Sequence, residues 1–345
     1  MTATAATLPR LVVAGERRHG VVRYARELAE AVGAHVGADV SLGAGEPADG
    51  DATLDGAGPL HLHFTDRVWG ASPEEAAMRV VRLAARVPVT VTLHDLPQAS
   101  DGPALRRRIA SYRRVALAAR GVVCSSEHEA ALLRDVVRPG STVEAVVIPL
   151  PVDVRAPGSP RAPTDDEVTL LGFVYPGKGH VEAIDAVAAL AAAGRPSAAG
   201  LGVTALGRAS AGHEEELARM AADAAALGVR FAVTGYLDDA TLLARCRRAG
   251  VPVAAHQHVS ASGSIVAWVA AGRRPLVPGT RYSREMAALR PGTLALYAPG
   301  DLAGAIDRAR RAPGSTWWAA DATTGPGSPD AAAAHIAWWT SGVAW

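Results

Sequence analysis

Short apolar runs alternate with longer segments of helical periodicity along the whole chain. Runs typical of buried strands occupy residues 11–14, 60–64, 87–93, 121–124, 146–152, 168–171, 201–206, 229–233 and 251–255. Helical patterns occupy residues 21–32, 106–114, 181–190, 213–227, 238–248, 265–271 and 331–339. This alternation predicts an α/β protein built from open sheets.

A break in this pattern divides the chain. Residues 155–167, RAPGSPRAPTDDE, are rich in proline, small and charged residues, which is typical of an interdomain linker. At 345 residues the chain is long enough for two domains. We therefore predict an N-terminal domain at residues 1–154 and a second domain that begins at residue 155.

Composition excludes several classes of protein. Basic and acidic residues number 35 and 34, so the excess of basic charge expected of a nucleic-acid binder is missing. Cys124 and Cys246 lie far apart and share no metal-ligand spacing, which favours a reduced cytosolic chain. The sequence has neither the pattern of a signal peptide at its start nor an apolar run long enough to span a membrane.

The segment LLGFVYPGKGH, residues 170–180, is the first candidate site. An apolar run enters a glycine-rich turn and a helical pattern leaves it, so free N–H groups of a helix start would point at one spot. Lys178 lies in this turn and is the only lysine in the sequence. Its ammonium is suited to a phosphate, although an ordinary βα loop that holds a lysine by chance remains the alternative.

A second turn of this type follows the predicted strand 251–255. Ser260, Ser262, Gly263 and Ser264 precede a short helical pattern that Gly272 closes. Serine hydroxyls and the first helix N–H groups could bind an anion there. The loop taken alone is explained equally by a serine that only caps the helix.

The first half of the chain carries its candidates at the ends of predicted strands. Arg17, Arg18 and Arg23 follow the first strand and either face an anion or are simply solvated. His94 and Asp95 end the strand 87–93, where a rigidly held histidine favours a functional role. For the histidines at 61 and 63 we favour hydrogen-bonded interior positions. Ser125 or Ser126, with Glu129, is typical of a helix start.

The order of these segments resembles the retaining glycosyltransferases of the GT-B fold, the group that includes bacterial mannosyl- and glucosyltransferases. The matching pieces are HGVVRY, TLHD, VVCSSEHE, VIPLPVD, LLGFVYPGKGH, TGYLDD and SASGSIVAWVAAGRRPLV, which together cover nearly the whole chain. The resemblance implies an α/β fold of two Rossmann-like domains facing an interdomain cleft. It also implies a second domain at residues 155–325 and a C-terminal helix, residues 326–345, that packs back on the N-terminal domain.

The resemblance also implies roles for particular residues. His94 and Lys178 are expected to be catalytic, with Lys178 on the donor diphosphate and His94 near the transferred sugar. The implied donor-binding residues are Gly20, Phe173, Gly177, Lys178, Arg208, Tyr236, Leu237, Ser262, Gly263, Ser264 and Ile265. The implied acceptor-side residues are Arg17, Arg18, Tyr24, His63 and Asp95. No metal site and no cofactor are expected, because the nucleotide-diphospho-sugar is a co-substrate.

Two departures from the family pattern concern charge. Phe173 follows Gly172 where the family usually has arginine, and neither of the two usual glutamates is present, the matching positions being near Val259 or Ser260 and at Ala267. Arg208 or the arginines at 273 and 274 could supply the missing positive charge. The changes put the identity of the donor in doubt.

The resulting prediction is a cytoplasmic hexosyltransferase that retains the anomeric configuration. Its donor is a nucleotide sugar, and its acceptor is a small molecule, a glycan or a lipid-linked molecule. Two alternatives stay open: a pseudo-glycosyltransferase or epimerase-like enzyme, and a non-catalytic partner of an active transferase. The tryptophan-rich tail is expected to pack on the first domain, and contact with a membrane interface is the alternative.

Overall fold

A computed structural model of the protein describes residues 8–16, 19–36, 42–44, 58–137, 139–140, 144–154, 165–210, 212–319 and 321–345. The chain divides into two compact units, one formed by Met1–Pro151 with Pro326–Trp345 and the other by Val152–Gly325. The predicted linker 155–167 lies mostly outside the described residues. Each unit contains a parallel sheet with helices.

The first unit is built on a parallel sheet with six described strands. They are β1 (Arg10–Val13), β2 (Leu42–Ala44), β3 (Leu60–Phe64), β4 (Val89–Leu93), β5 (Gly121–Cys124) and β6 (Val146–Val147). Their order across the sheet is β2-β1-β3-β4-β5-β6. Strands β3 and β4 are buried along their whole length, which explains their continuous apolar or alternating apolar and histidine sequences.

Helices connect these strands. They are α1 (Gly20–Val36), α2 (Asp66–Trp69), α3 (Pro73–Ala84), α4 (Leu105–Ala118) and α5 (Glu127–Leu132). The predicted helix start near Glu129 is confirmed: the Ser126 hydroxyl accepts the Glu129 N–H at 3.0 Å, and the Glu129 carboxylate accepts the Ser125 N–H at 2.8 Å.

The second unit contains another parallel sheet with six described strands. They are β7 (Glu167–Leu171), β8 (Gly202–Leu206), β9 (Phe231–Val233), β10 (Val251–Val253), β11 (Leu276–Pro278) and β12 (Ala295–Tyr297). Their order is β12-β11-β10-β7-β8-β9, so the direction of winding reverses between β7 and β10. Ligands of open α/β sheets bind beyond the carboxyl ends of the strands at such a reversal.

The helices of the second unit are α6 (His180–Ala192), α7 (Glu214–Ala226), α8 (Asp239–Arg248), α9 (Gly263–Ala270), α10 (Arg281–Leu289) and α11 (Leu302–Arg311). The last helix of the chain, α12 (Ser328–Ser341), belongs to the first unit and packs against α1. There its buried tryptophans Trp338 and Trp339 join Leu11, Leu28 and other apolar residues in one cluster.

The structure differs from the predicted elements in three respects. The predicted strand 146–152 is paired only over Val146–Val147, because Pro149 and Pro151 have no N–H to donate. Strands β2, β11 and β12 are each three residues long and gave no clear pattern. The helical pattern 106–114 is part of a longer helix, α4, in which the Arg108 side chain is only 12% exposed and pairs with Asp66.

Candidate functional site

The carboxyl ends of β7 and β10 bring the two predicted anion-binding turns together. The turn after β7 contains Gly172, Gly177 and Gly179, all with positive φ, which glycine adopts without strain. A Cβ on Gly179 would stand 2.5 Å from the Ala255 carbonyl oxygen, so the turn lies directly on the chain that follows β10. The Gln257 N–H donates to the Gly177 carbonyl at 3.0 Å and closes this contact.

The Lys178 side chain points from the first turn to the second. Its Nζ lies 2.6 Å from Nε2 of His256 and donates to the Ser264 hydroxyl at 3.3 Å. It also lies 5.8 Å from the centre of the Tyr175 ring. The lysine is 9% exposed, so its ammonium is held on the strand-end side of the sheet by a small set of contacts.

The serine turn has both of the proposed features, a helix cap and free helix amides. The Ser262 hydroxyl accepts the Ile265 N–H at 3.2 Å, and Ser262 and Ser264 hydroxyls lie 3.1 Å apart. Ile265 therefore uses its amide in the cap, and its backbone contact with the donor stays a prediction. The N–H groups of Gly263 and Ser264 lie in the first turn of α9, where the helix itself offers them no carbonyl acceptor. They remain candidate donors to an anion.

His180, the first residue of α6, borders the same cluster. It is 1% exposed, and neither ring nitrogen has a hydrogen-bond partner among the described residues. Burial, together with the nearby Lys178 charge, lowers the pKa of His180 to about 3. His180 is thus a neutral, buried polar group beside the lysine.

The other predicted donor residues border this region in the second unit. The Arg208 guanidinium stacks on the Phe173 ring at 5.6 Å, and backbone hydrogen bonds join Val174 to the Arg208 carbonyl. Tyr236 is 59% exposed, whereas Leu237 is partly buried against the apolar cluster that contains Ile265. Arg208 and Tyr236 are therefore accessible to a ligand.

Arg273 and Arg274 do not supply charge to this site. Arg273 is fully buried, and its guanidinium donates to the carbonyls of Cys246, Arg247, Ala249 and Gly250 at 2.6–3.2 Å. Arg274 donates through Nε to the Leu294 carbonyl at 3.2 Å. The sequence hypothesis that either arginine replaces the missing charge is wrong, because the Arg273 guanidinium is occupied at the end of α8 and Arg274 bonds to the backbone.

In the first unit, His94 follows β4 and joins a buried histidine cluster. Its Nε2 lies 3.1 Å from Nδ1 of His63, and the two rings are stacked. The His61 ring nitrogens bond the Thr90 and Thr92 hydroxyls, each at 3.0 Å. Interior positions are thereby confirmed for His61 and His63.

This histidine cluster has further aromatic neighbours. The Tyr24 ring meets both His63 and His94 edge to face, and His335 of α12 meets His61. Tyr24 and His63 are 8% and 1% exposed, so their own polar atoms face the interior. Both residues contact His94, and their acceptor-side role stays a prediction.

Asp95 stands at the end of β4 on a backbone held by neighbouring groups. It is exposed and has φ of 51°, a left-handed conformation that a non-glycine residue rarely adopts. The Arg108 guanidinium bonds the Asp95 carbonyl at 2.7 Å and both Asp66 carboxylate oxygens at 2.9 and 3.0 Å. The Tyr112 hydroxyl donates to the His94 carbonyl at 2.7 Å. Side chains of α4 thus hold the backbone of both candidates, His94 and Asp95.

The buried histidines make the first unit sensitive to acid. Burial lowers the pKa of His94 and of His335 to about 4, and lowers those of His61 and His63 well below the ordinary value of 6.5. In the unfolded chain these histidines take up protons near pH 6.5, whereas in the folded chain they do not. Stability is therefore complete above about pH 6.5 and is lost as the pH falls from there toward about 4.

We expect the free energy of unfolding to fall by about 4 kcal/mol or more between pH 7.5 and pH 5. Urea unfolding at several pH values measures this slope. His335→Gln should make the slope smaller, while substitution of the exposed His35 by Gln should leave it unchanged. An unfolding free energy that stays constant down to pH 5 would contradict the expectation.

The remaining predicted residues of the first unit follow β1. Gly20 is exposed and begins α1, and Gly15 in the same loop has φ of 92°. Arg17 and Arg18 lie outside the described residues. Arg23 is exposed on α1 and lies 3.8 Å from Glu27.

Neither a candidate metal site nor a membrane-spanning helix is found among the described residues. Within them, no three His, Cys, Asp or Glu side chains are grouped so that they could hold a metal ion. The helices in the described part of the chain include none with the length and apolar character needed to cross a bilayer. In the tail, Trp338 and Trp339 are buried and Trp345 is 36% exposed.

Sequence reasoning missed the histidines that complete the two clusters. His256, His180 and His335 are at most 4% exposed, yet none was assigned a role. The available signal was position: His256 ends β10 and His180 ends the glycine turn, so each stands at the carboxyl edge of the sheet.

Comparison with solved structures identifies the fold. The structure is similar to Anabaena Alr3699/HepE in complex with UDP and glucose, at 15% identity and a TM-score of 0.66, over 95% of each chain. It is similar to sucrose-phosphate synthase from Thermosynechococcus elongatus at 17% identity and a TM-score of 0.67, over 96% of this chain and 95% of that one. The apo structure of OtsA gives 14% identity and a TM-score of 0.52, over 81% of this chain and 70% of that one.

These similar structures are GT-B glycosyltransferases, and the predicted GT-B fold is confirmed. At such identities the likeness concerns the fold alone. A scan against protein-family models gives no match to the sequence, and a search of curated proteins gives none either.

Proposed function

We propose that the chain is a glycosyltransferase that takes a sugar from a nucleotide-diphospho-sugar and transfers it with retention of the anomeric configuration. The acceptor is a small molecule, a glycan or a lipid-linked molecule. The observation that carries the proposal is the Lys178 ammonium held 3.3 Å from the Ser264 hydroxyl, where the turns after β7 and β10 meet. The similar structures of HepE in complex with UDP and with UDP-glucose support a nucleotide sugar as the ligand class.

The donor diphosphate fits this site because of its charge. Two phosphate groups would accept hydrogen bonds from Lys178 Nζ, the Ser264 hydroxyl and the amides of Gly263 and Ser264. The positive ends of α6 and α9 add to the same attraction. Tyr236 and Leu237 are proposed to flank the nucleobase, and Arg208 with Phe173 to border the phosphates.

The proposed chemistry places negative charge on the departing diphosphate. The bond between the anomeric carbon and the phosphate oxygen breaks and leaves its electron pair on that oxygen. The acceptor hydroxyl oxygen then bonds the anomeric carbon from the face that the diphosphate leaves, which retains the configuration, and its proton passes to the departing phosphate oxygen. Lys178 and the helix amides stabilise the developing charge, which is the largest contribution that a fixed polar site makes to such a reaction. We propose that these groups act without a metal ion.

The first unit is proposed to supply the acceptor side. His94 and Asp95 end β4, and Gly20 begins the helix that follows β1. His94 is held by His63 and by Tyr112, so its imidazole would enter the reaction in one orientation. Arg17 and Arg18 stay predicted acceptor-side residues.

The proposal is tested by incubating the protein with UDP-, GDP- and ADP-sugars and a mixture of sugar and lipid acceptors. Release of nucleoside diphosphate that depends on an acceptor, with an α product from an α donor by NMR, is expected. Turnover of the donor without any acceptor would select the epimerase-like alternative. Binding without turnover, with copurification of a second transferase subunit, would select the non-catalytic alternative.

Arg208 should affect binding without affecting stability. Its guanidinium stacks on Phe173 and is exposed, so Arg208→Ala is expected to weaken donor affinity by about 3–10-fold through loss of one charged contact. Calorimetric titration measures the affinity, and the melting temperature should not change. A donor affinity equal to that of the wild type would remove Arg208 from the proposed site.

A further inference from the structure

The feature that the proposed function does not use is the imidazole of His256, which follows β10. Its Nδ1 lies 3.3 Å from the Ala254 carbonyl oxygen, which can only accept a hydrogen bond. Nδ1 therefore carries the proton, and Nε2 has the lone pair. That lone pair faces the Lys178 ammonium at 2.6 Å and the Ser264 hydroxyl at 3.3 Å. In this state the neutral His256 accepts a hydrogen bond from the Lys178 ammonium.

The surroundings of His256 are positive and dry. The side chain is 4% exposed, and burial followed by the Lys178 charge lowers the pKa of His256 well below its ordinary value. The hydrogen bond to the Ala254 carbonyl raises the pKa of His256, and the electrostatic effect of His180 on α6 lowers it by a smaller amount. The nearby carboxylate of Glu182 is bonded to the Gln257 side chain. The described groups that act on His256 thus keep it neutral.

An anion at this position would reverse the balance. A nucleotide-diphospho-sugar carries two negative charges at neutral pH, and Lys178 supplies one positive charge. A phosphate oxygen that takes the Lys178 hydrogen bond leaves Nε2 without its donor and places negative charge beside it. An opposite charge within about 4–6 Å favours the protonated form of an imidazole.

We propose that His256 takes up one proton when a diphosphate binds, and that its imidazolium is the second cation of the site. The inference rests on the proposed function, because it requires the diphosphate to bind beside Lys178. The proton comes from solvent and is added to Nε2, which then donates to a phosphate oxygen. Lys178 turns its own hydrogen bond from His256 to the diphosphate.

The consequence is an affinity that depends on pH with a fixed sign. Since the bound state holds one more proton than the free state, affinity is high at low pH and falls as the pH rises through the pKa of the bound imidazole. By linkage, the steepest decline is about tenfold for each pH unit. The acid-induced loss of stability in the first unit sets the lower limit of the useful range at about pH 6.

The test is calorimetric titration of the full-length protein with UDP-glucose at pH 6.5, in two buffers that differ in their enthalpy of ionisation. The two phosphates of UDP-glucose are strongly acidic, so the ligand itself contributes no proton near this pH. GDP-mannose and ADP-glucose serve as further probes of proton uptake, and inorganic pyrophosphate, which itself titrates near this pH, serves only to test whether a diphosphate binds. We expect close to one proton taken up per ligand bound by the wild type.

Variants assign the proton. His256→Asn should abolish the uptake and flatten the pH dependence of affinity. His258→Asn, at an exposed histidine two residues away, should change neither. Uptake that survives in His256→Asn and disappears in His180→Asn would overturn the assignment to His256.

The outcomes separate this inference from the proposed function. Binding of a diphosphate by the wild type with no proton uptake would overturn the inference and leave the function standing. This measurement needs no variant, so a failure of His256→Asn to fold does not affect it. If none of the four probes binds, the proposed function falls, and the inference falls with it.

Discussion

Lys178→Met is expected to weaken the affinity for the nucleotide-diphospho-sugar by about 100-fold, which corresponds to roughly 3 kcal/mol. The substitution keeps the apolar stem but removes the ammonium that lies 2.6 Å from His256 and 3.3 Å from Ser264. A charged hydrogen bond to phosphate in a partly dry site accounts for this magnitude. Turnover should fall by a factor of about 100 or more, because the same charge stabilises the leaving group.

The measurement is calorimetric titration of the variant beside the wild type, with product formation followed in parallel. Arg219→Met is the matched control, because Arg219 is an exposed cation on α7 of the same unit. That variant should bind and turn over the donor normally. Equal donor affinity in Lys178→Met and the wild type would contradict the role given to the lysine.

Arg273→Met is expected to lower the free energy of unfolding by about 3–5 kcal/mol and to leave donor affinity unchanged. The guanidinium is fully buried and donates to four backbone carbonyls at the end of α8. It also bonds the Thr316 carbonyl at 3.1 Å and the Thr316 hydroxyl at 2.9 Å, and it stacks on Trp317 at 4.3 Å. Methionine fills similar volume but removes the guanidinium donor from the four carbonyls at the end of α8.

Urea unfolding gives the stability, and titration well below the unfolding temperature gives the affinity. Arg274→Met is the neighbouring control, since Arg274 is partly exposed and its Nε bonds a single carbonyl, that of Leu294. It should cost about 1 kcal/mol. If Arg273→Met weakened donor binding while stability was unchanged, Arg273 would belong to the site and not to the structural core.

The fold was predictable because local patterns and global architecture agree. Buried strands such as β4 and β7 consist mainly of Val, Leu and Thr, which is typical of strands, and the cap formed by Ser126 and Glu129 was visible as a short motif. The run 146–152 was predicted as a strand that its prolines end, and in the structure Pro149 and Pro151 limit the paired part to Val146–Val147. Strands of three residues, such as β11, are too short to show a period.

The candidate site was predictable only in part. The glycine turn and the serine turn each have a local signal, so Lys178 and Ser264 could be named from the sequence. The contact between Lys178 and His256 joins residues 78 positions apart and depends on the order β10-β7 in the sheet, which no local pattern reports.

The three candidate arginines show the same limit of prediction from sequence. Arg208, Arg273 and Arg274 look equivalent in the sequence. Only the structure shows that Arg273 is committed to the carbonyls of α8, whereas Arg208 is exposed beside Phe173. Burial and hydrogen-bond partners are properties of the folded chain, and they decide which cation can meet a ligand.

The central claim is that the second unit binds a nucleoside diphosphate group beside Lys178. A thermal-shift screen of the wild type against UDP-, GDP- and ADP-sugars and the free nucleoside diphosphates tests it most directly, because a ligand that binds only the folded protein raises its melting temperature. We predict that at least one of these compounds raises the melting temperature of the wild type and fails to raise that of Lys178→Met. A wild type whose melting temperature none of them changes at millimolar concentration would contradict the claim.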